Sequence, residues 1–393
     1  MYDALHKVAL TGVGHSEIGR RLTRELGLLA IDASLAAIED AGLSLSDIDG
    51  ITTYPELPSV GHAAPADGFD VVTTPWMIRN LGLSNLNYWG ESGAGNISTA
   101  INSAIQAVAT GACNYVLVFR ALHLPRDGSY TQFRGDVAAG AAAYSASYGL
   151  SHFPLSFAFN YMRYQKLYGA KREHLGAYAL AARRGANKNP HAVFYDKPLT
   201  MDDYMSCRMV ADPLCLYDCD MPVDGAAAVI ITSAERARDL KVPPAYVTGL
   251  GQAGWNPFAP AQFDDLRNTT ATLGNQIWES SGLRPADVSG AMLYDGFTPD
   301  IYFWLEGFGF CGEGEAYEWI QNGRIEQDGE LPINTFGGNV SEGRLHGIGH
   351  WVEAALQVQG RADERQIADA EHIVVATGML GHGSGALLSR EPL

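Results

Sequence analysis

Along the first fifty residues the apolar positions change their spacing twice. Lys7 to Val13 is a nearly unbroken apolar run closed by Gly14, the pattern of a buried strand. From Leu22 to Ala41 the apolar residues Leu26, Leu29, Ala30, Ala33, Ala37, Ile38 and Ala41 fall at helical spacing, and Gly42 stands where such a helix ends. Leu45 to Ile48 then reads as a turn, and Ile51 to Tyr54 as a strand.

The same phrase returns in the second part of the chain. Ala41-Gly42-Leu43 followed by Asp47-Ile48-Asp49-Gly50 is echoed, 240 residues on, by Ser281-Gly282-Leu283 followed by Asp287-Val288-Ser289-Gly290. Each copy follows an apolar helix and precedes a strand, the second being Met292-Leu293-Tyr294. A further pair supports the first. The helix Ile101 to Ala109 leads to the strand Tyr115 to Phe119, as the helix Trp351 to Val358 leads to the strand Ile373 to Ala376. Helix, turn and strand in matching order twice predict a duplicated α/β unit, with halves at 1–240 and 241–393. Residues 121–205 interrupt the first half with an aromatic and arginine-rich stretch (Tyr161, Arg163, Tyr164, Tyr168, Arg183, Arg184), expected to pass over one face like a lid. Asp224-Gly225 then opens the apolar strand Ala226 to Thr232.

A chain of 393 residues, 47% of them apolar and 10% aromatic, has material for two packed units and excludes disorder. Its net charge of −17 argues against nucleic acid or an anionic membrane as the main partner. The first residues show no basic-then-apolar signal, and no apolar run is long enough to span a bilayer, so a cytoplasmic location is expected. Five irregularly spaced cysteines, Cys113, Cys207, Cys215, Cys219 and Cys311, suit a reducing compartment. Cys215 and Cys219 resemble half a zinc site, but no second pair stands at ligand spacing, and no metal is expected.

Four glycine-flanked segments have the composition of chemistry-bearing loops. Gly90-Glu91-Ser92-Gly93-Ala94-Gly95 precedes a helix, where backbone N–H groups suit an anion or oxyanion; the plainer reading is a tight helix entry capped by Ser92. It lacks the lysine and spacing of a phosphate loop. Tyr294-Asp295-Gly296-Phe297-Thr298 ends a strand. The stretch from Asn334 to Gly347 carries Gly337, Gly338, Asn339, Ser341, Arg344 and His346 at short intervals, and Gly378 to Gly385 encloses His382. A glycine-rich turn alone is more often structural, but these four, in this order around a duplicated body, are far more specific.

With these segments in hand the chain resembles the thiolase superfamily over nearly its whole length, especially the branch near the sterol carrier protein x-type thiolases. The resemblance implies a thiolase-like duplicated five-layer α/β/α/β/α fold, with a long insertion between strands of the first half. Thiolases carry a nucleophilic cysteine in the first segment, where Gly90-Glu91-Ser92-Gly93 stands here. Their last segment begins with a second cysteine, where Met379-Leu380-Gly381-His382-Gly383 stands, and Arg344 takes the usual histidine position. Glycine and methionine neither form an acyl-enzyme nor shuttle a proton, so ping-pong thiolysis is not expected.

One sub-branch that the chain resembles shares this loss: the bacterial steroid side-chain aldolases, which carry Tyr294's counterpart in a Tyr-Asp-x-Phe-Thr segment. The resemblance implies retro-aldol cleavage of a β-hydroxyacyl-CoA to a steroid D-ring ketone and propionyl-CoA. It also implies a small OB-fold partner of the acyl-CoA-associated kind, bound to a homodimer in a heterotetramer-like complex. No cofactor is implied, the coenzyme A thioester being the substrate. Those enzymes carry a second tyrosine where this chain has Arg344, a departure that bears on substrate and proton route.

Retro-aldol chemistry needs an acceptor for the alcohol proton, an oxyanion site for the thioester enolate and a proton for that enolate. The expected catalytic set is Tyr294, His346, Arg344 and Asp295; the expected substrate contacts are Ser92, Gly93, Asn339, Ser341, His382 and Gly383. Tyr294 is expected to take the alcohol proton, its pKa lowered from about 10 by Arg344 or His346. His346 is expected to hold the enolate oxygen or return its proton, and Asp295 to orient a neighbour. A packing tyrosine and a structural histidine are the plainer readings of Tyr294 and His346. Two other functions compete: an acyltransferase or thiolase with a displaced nucleophile such as Cys311, and a non-catalytic acyl-CoA-binding scaffold. The apolar strand Tyr115 to Phe119 is expected to be the dimer-pairing edge.

Overall fold

The structure, a computed structural model, describes residues 7–55, 65–92, 97–124, 148–150, 153–254, 262–378 and 382–393. Gly93, Met379, Leu380, Gly381 and residues 125–147 of the insertion therefore lie outside the described residues.

The first part of the chain runs β1 (Val8–His15), α1 (Leu26–Ala41), β2 (Gly50–Thr53), α2 (Thr74–Leu81), β3 (Tyr88–Glu91), α3 (Ile97–Ala109) and β4 (Tyr115–Leu122). The insertion follows as α4 (Phe153–Tyr168), α5 (Arg172–Ala186), α6 (Met201–Ser206) and the small ribbon β5 (Met209–Ala211) and β6 (Leu214–Cys215). Then come β7 (Gly225–Ser233), α7 (Ala234–Ala237), β8 (Ala245–Gly254), α8 (Phe263–Ser281), β9 (Gly290–Leu293), α9 (Asp300–Phe308) and α10 (Ala316–Trp319). The chain closes with α11 (Gly338–Ser341), α12 (Ile348–Val358), β10 (His372–Gly378) and β11 (His382–Ser389).

The nine main strands hydrogen-bond in the order β3-β2-β4-β7-β1-β8-β11-β10-β9. Read outward from the β1–β8 junction, where Ala9 faces Tyr246, this order is the same in both directions: β1, β7, β4, β2 on one side and β8, β11, β10, β9 on the other. The duplication read from the sequence is thus a structural one. Gly42 and Gly282 end α1 and α8 in the same left-handed conformation, at φ 77° and 74°, and β2 and β9 begin at Gly50 and Gly290.

Glycine and alanine set the distance between helix and strand in each copy. A Cβ on Gly12 or Gly14 of β1 would stand 2.2 or 2.3 Å from the carbonyl oxygens of Ala37 and Ala33 on α1. The same device recurs where Gly249 and Gly251 of β8 lie under the Ile277 and Leu273 carbonyls of α8, at 2.8 and 3.0 Å from a built Cβ. A methyl group there would force the helix off the sheet, an overpacking that costs about 1–3 kcal/mol.

Helices α3 and α12 pack with strands of both halves in one buried cluster that includes Ile101, Ile105, Trp351, Val229, Val375 and Leu388. Helix α1 covers the outer face of the first half through Ala33, Ala37 and Ile38. Helix α8, with α9 and the insertion helices, covers the outer face of the second through Leu273, Ile277 and Trp304. Outer helices, a half-sheet, a shared inner pair, a second half-sheet and outer helices make the five layers.

The expected pairing edge is overturned. Strand β4, which contains Tyr115 to Phe119, is an interior strand, bonded on one side to β2 through Val116–Phe119 and on the other to β7. The sheet's ends are β3 and β9.

Candidate active site

Strand β9 ends at Leu293, and the chain turns through Tyr294, Asp295 and Gly296 toward α9. This turn meets the loop around α11. Asp295 is wholly buried and accepts four hydrogen bonds: from the Tyr178 hydroxyl (2.7 Å), the backbone N–H groups of Asn339 (2.8 Å) and Val340 (3.3 Å), and His350 Nε2 (3.2 Å). Gly338 has φ 61°, and a Cβ there would lie 2.2 Å from Asp295 Oδ2, so only glycine lets the loop close on this carboxylate. Asp295 thus fastens α11, α12 and α5 to the strand end, in keeping with an orienting role.

Tyr294 is half-buried, and its hydroxyl has no hydrogen-bond partner among the described residues. Its backbone is held at both ends, N–H to the Ala376 carbonyl at 2.9 Å and carbonyl to the Trp304 indole N–H at 2.9 Å. Burial, then the carboxylate of Asp220, pushes its phenol well above the usual tyrosine range; Arg344 pulls the other way and does not prevail. The expectation that a cation lowers this pKa is therefore wrong. Arg344 forms an ion pair with Asp220, with its Nε 3.8 Å from Asp220 Oδ2, and both side chains are largely buried. Burial, with the carboxylates of Asp295 and Asp220 adding to it, pushes Asp300 well above the usual carboxylate range, and its Oδ1 has no partner among the described residues.

His346 takes φ 51°, unusual for a residue with a side chain, between Leu345 and the left-handed Gly347. Its Nδ1 lies 2.9 Å from Arg120 Nη2, with both groups buried. A guanidinium has only N–H donors, so Nδ1 accepts and the ring's proton sits on Nε2. Burial, then the charges of Arg344 and Arg120, drops the ring well below the usual histidine range. His346 is a neutral donor.

The other expected residues divide. Asn339, on α11, lies within the Asp295 cluster, and its Nδ2 has no partner among the described residues. Ser341 accepts a hydrogen bond from Arg183 Nε of α5 at 3.2 Å. Gly383 on β11 lies under Trp304, the residue that holds the Tyr294 carbonyl, and His382 is buried beside it. Ser92, at the end of β3, donates its backbone N–H to the Thr53 carbonyl at 2.9 Å.

Sequence reasoning missed Arg120, Tyr178, Arg183, Asp220 and His350. One of them left a signal, since Arg120 interrupts the otherwise apolar strand Tyr115–Leu122, and a charge in a buried strand needs a reason. The insertion was expected to act as a lid. Among its described residues, helix α5 forms a wall of the site: Tyr178 holds Asp295, Arg183 holds Ser341, and Asn189, just beyond, donates to the Phe336 carbonyl and Glu342.

Cys311 is a poor nucleophile here. Burial and the carboxylates of Glu306 and Glu315 push its thiol up to about 12, leaving little thiolate at neutral pH. Among the described residues no group of acids, histidines and cysteines is arranged to hold a metal ion, and no helix is long and apolar enough to cross a membrane.

Residues 258–390 match the family model described as thiolase C-terminal domain-like. The chain is 35% identical to a Mycobacterium tuberculosis protein named 17-hydroxy-3-oxo-4-pregnene-20-carboxyl-CoA lyase, over 97% of this chain and 99% of that one. It is 34% identical to a steroid side-chain-cleaving aldolase of Thermomonospora curvata, over 98% of each. The solved Ltp2-ChsH2(DUF35) aldolase is similar with a TM-score of 0.86 at 33% identity, covering 98% of both chains.

Proposed function

The chain belongs to the thiolase superfamily, in its branch of side-chain-cleaving aldolases, and is a carbon–carbon lyase of acyl-CoA thioesters; from that premise we propose that it cleaves a steroid or similarly bulky β-hydroxyacyl-CoA. The products are a ring ketone and propionyl-CoA. The bond between the α and β carbons breaks as the β-hydroxyl loses its proton. Its electron pair passes to the α carbon, forming the thioester enolate, which is then protonated.

The observation that carries this reading is the protonation pattern around Tyr294. A half-buried phenol held above its ordinary pKa does not rest as a phenolate base, but it suits a relay. Its oxygen receives the alcohol proton as its own proton passes to the α carbon, so atoms and charge balance with no thiol, metal or cofactor. The Nε2–H of His346 suits the enolate oxygen. Arg344, paired with Asp220, stands where the relatives' branch is expected to carry a second tyrosine, and it supplies positive charge near the phenol. Asp295 positions the loop, while Asn339, Ser341, His382, Gly383, Ser92 and Gly93 remain the proposed substrate contacts.

The relative solved as Ltp2-ChsH2(DUF35) supports a second, small partner of the OB-fold kind. A homodimer would pair through the edge strand β3, where Trp89 is 62% exposed. The test is to incubate the chain, with and without such a partner, with a 17-hydroxy steroid acyl-CoA and to follow propionyl-CoA and the ring ketone. Release of an acyl group onto free coenzyme A instead, abolished by Cys311→Ala, would favour an acyltransferase. No turnover in any combination would leave a scaffold.

A further inference from the structure

We infer that Arg120 is a positioning residue that commits His346 to act as a neutral hydrogen-bond donor, which gives this histidine the enolate oxygen and leaves the enolate's proton to Tyr294. The inference rests on the lyase reading for its chemistry, but its geometry stands independently.

Arg120 lies on β4, is 2% exposed, and is clamped from three sides. Its Nη1 donates to the Ala121 carbonyl at 2.8 Å and its Nη2 to His346 Nδ1 at 2.9 Å. Its guanidinium carbon stands 5.0 Å from the centre of the Tyr54 ring, and that ring lies 5.9 Å from the ring of His346. Strand β4, the residue after β2 and the loop between α11 and α12 therefore converge on one imidazole.

The common arrangement in enzymes places a carboxylate at Nδ1, which raises the basicity of the far nitrogen and stabilises an imidazolium. Here a guanidinium occupies that place, and the effect reverses. The Nδ1 lone pair is filled by a donor that cannot give up its charge, and a proton at Nδ1 would have to displace it. Among the described residues, Arg344, on the ring's own loop, also repels an added proton, and Asp220 Oδ2 lies 3.8 Å from Arg344 Nε. The Nε2–H bond is polarised by the cation behind it and becomes a stronger donor, while the ring loses any capacity to deliver an imidazolium proton. Of the two roles the sequence left open for His346, only the oxyanion role survives.

The test is nitrogen NMR on the full chain labelled at histidine, with His346→Asn to assign the resonance. In the unaltered protein, Nδ1 should read as unprotonated and Nε2 as protonated throughout about pH 5 to 8, where an ordinary histidine titrates. In Arg120→Met, where burial and Arg344 still keep the ring neutral, the single tautomer should be lost and Nδ1 should carry part of the proton. Turnover should fall by about 10²-fold, as for the loss of one oxyanion donor, with KM little moved. A wild-type His346 that titrates there, or that carries its proton on Nδ1, overturns the inference whether or not the variant folds. An Arg120→Met protein with an unchanged tautomer also overturns it. A chain that cleaves no acyl-CoA yet shows the stated tautomer would sink the lyase reading and leave the Arg120–His346 pairing intact.

Discussion

The Tyr178 hydroxyl donates to Asp295 Oδ2 at 2.7 Å and accepts from Asn334 Nδ2 at 2.7 Å, joining the inserted helix α5 to both sides of the candidate site. Burial, then the Asp295 carboxylate, holds this phenol well above its ordinary pKa, so it remains a donor. Tyr178→Phe would leave a buried carboxylate one donor short and a buried amide one acceptor short. A loss of about 1–3 kcal/mol in stability is expected, together with a several-fold fall in turnover as the Asp295 anchor loosens. Urea unfolding and steady-state rates measured on the same preparation check both.

Tyr294→Phe removes the relay oxygen and preserves the ring. Turnover should drop by roughly 10²-fold or more with little change in unfolding midpoint, the size expected of a general acid–base group. Cys311→Ala should leave turnover nearly untouched. Near-normal cleavage by Tyr294→Phe beside an inactive Cys311→Ala would reverse the ranking of lyase over displaced thiol.

Glu342 gives a pH-dependent stability. Burial, with the Glu353 carboxylate adding to it, raises its pKa from 4.5 to about 8, while Asn189 donates to Oε1 at 2.9 Å. A raised carboxyl pKa means that the folded state holds a proton the unfolded state releases, so stability falls as pH rises from the unfolded value toward the folded one. Glu342→Gln keeps the shape and removes the titration. It should match the parent near pH 4.5 and exceed it in stability near pH 8, by something of the order of 4 kcal/mol. Denaturant midpoints across that window decide the matter; parallel curves for the two proteins would refute a raised carboxyl.

Trp89→Asp places a charge on the exposed edge strand β3 without touching the Tyr294 cluster. If two copies pair through β3, light scattering at micromolar concentration should show a dimer for the parent and a monomer for the variant. A dimer unaffected by Trp89→Asp would move the interface elsewhere.

The repeat, the strand–helix order and the thiolase-like body were legible in the sequence because they are local. Helical spacing from Leu26 to Ala41, a glycine that ends it and a turn phrase repeated 240 residues later are all properties of neighbours along the chain. The loss of the two thiols was equally plain, since residue identity at a motif position needs no coordinates. What the chain could not disclose is which residues meet from far apart and what charge they then carry. Arg120 and His346 are 226 residues apart, and Tyr178 and Asp295 are 117 apart, so no window of spacing joins them. Nor does sequence order say whether Tyr115 to Phe119 is an edge or an interior strand, because that depends on where β7 returns. The direction of each pKa shift follows from burial and from the nearest charges, and both exist only once the chain has closed. Tyr294 and His346 were candidates by identity; the folded structure decided that one rests as a phenol and the other as a neutral donor.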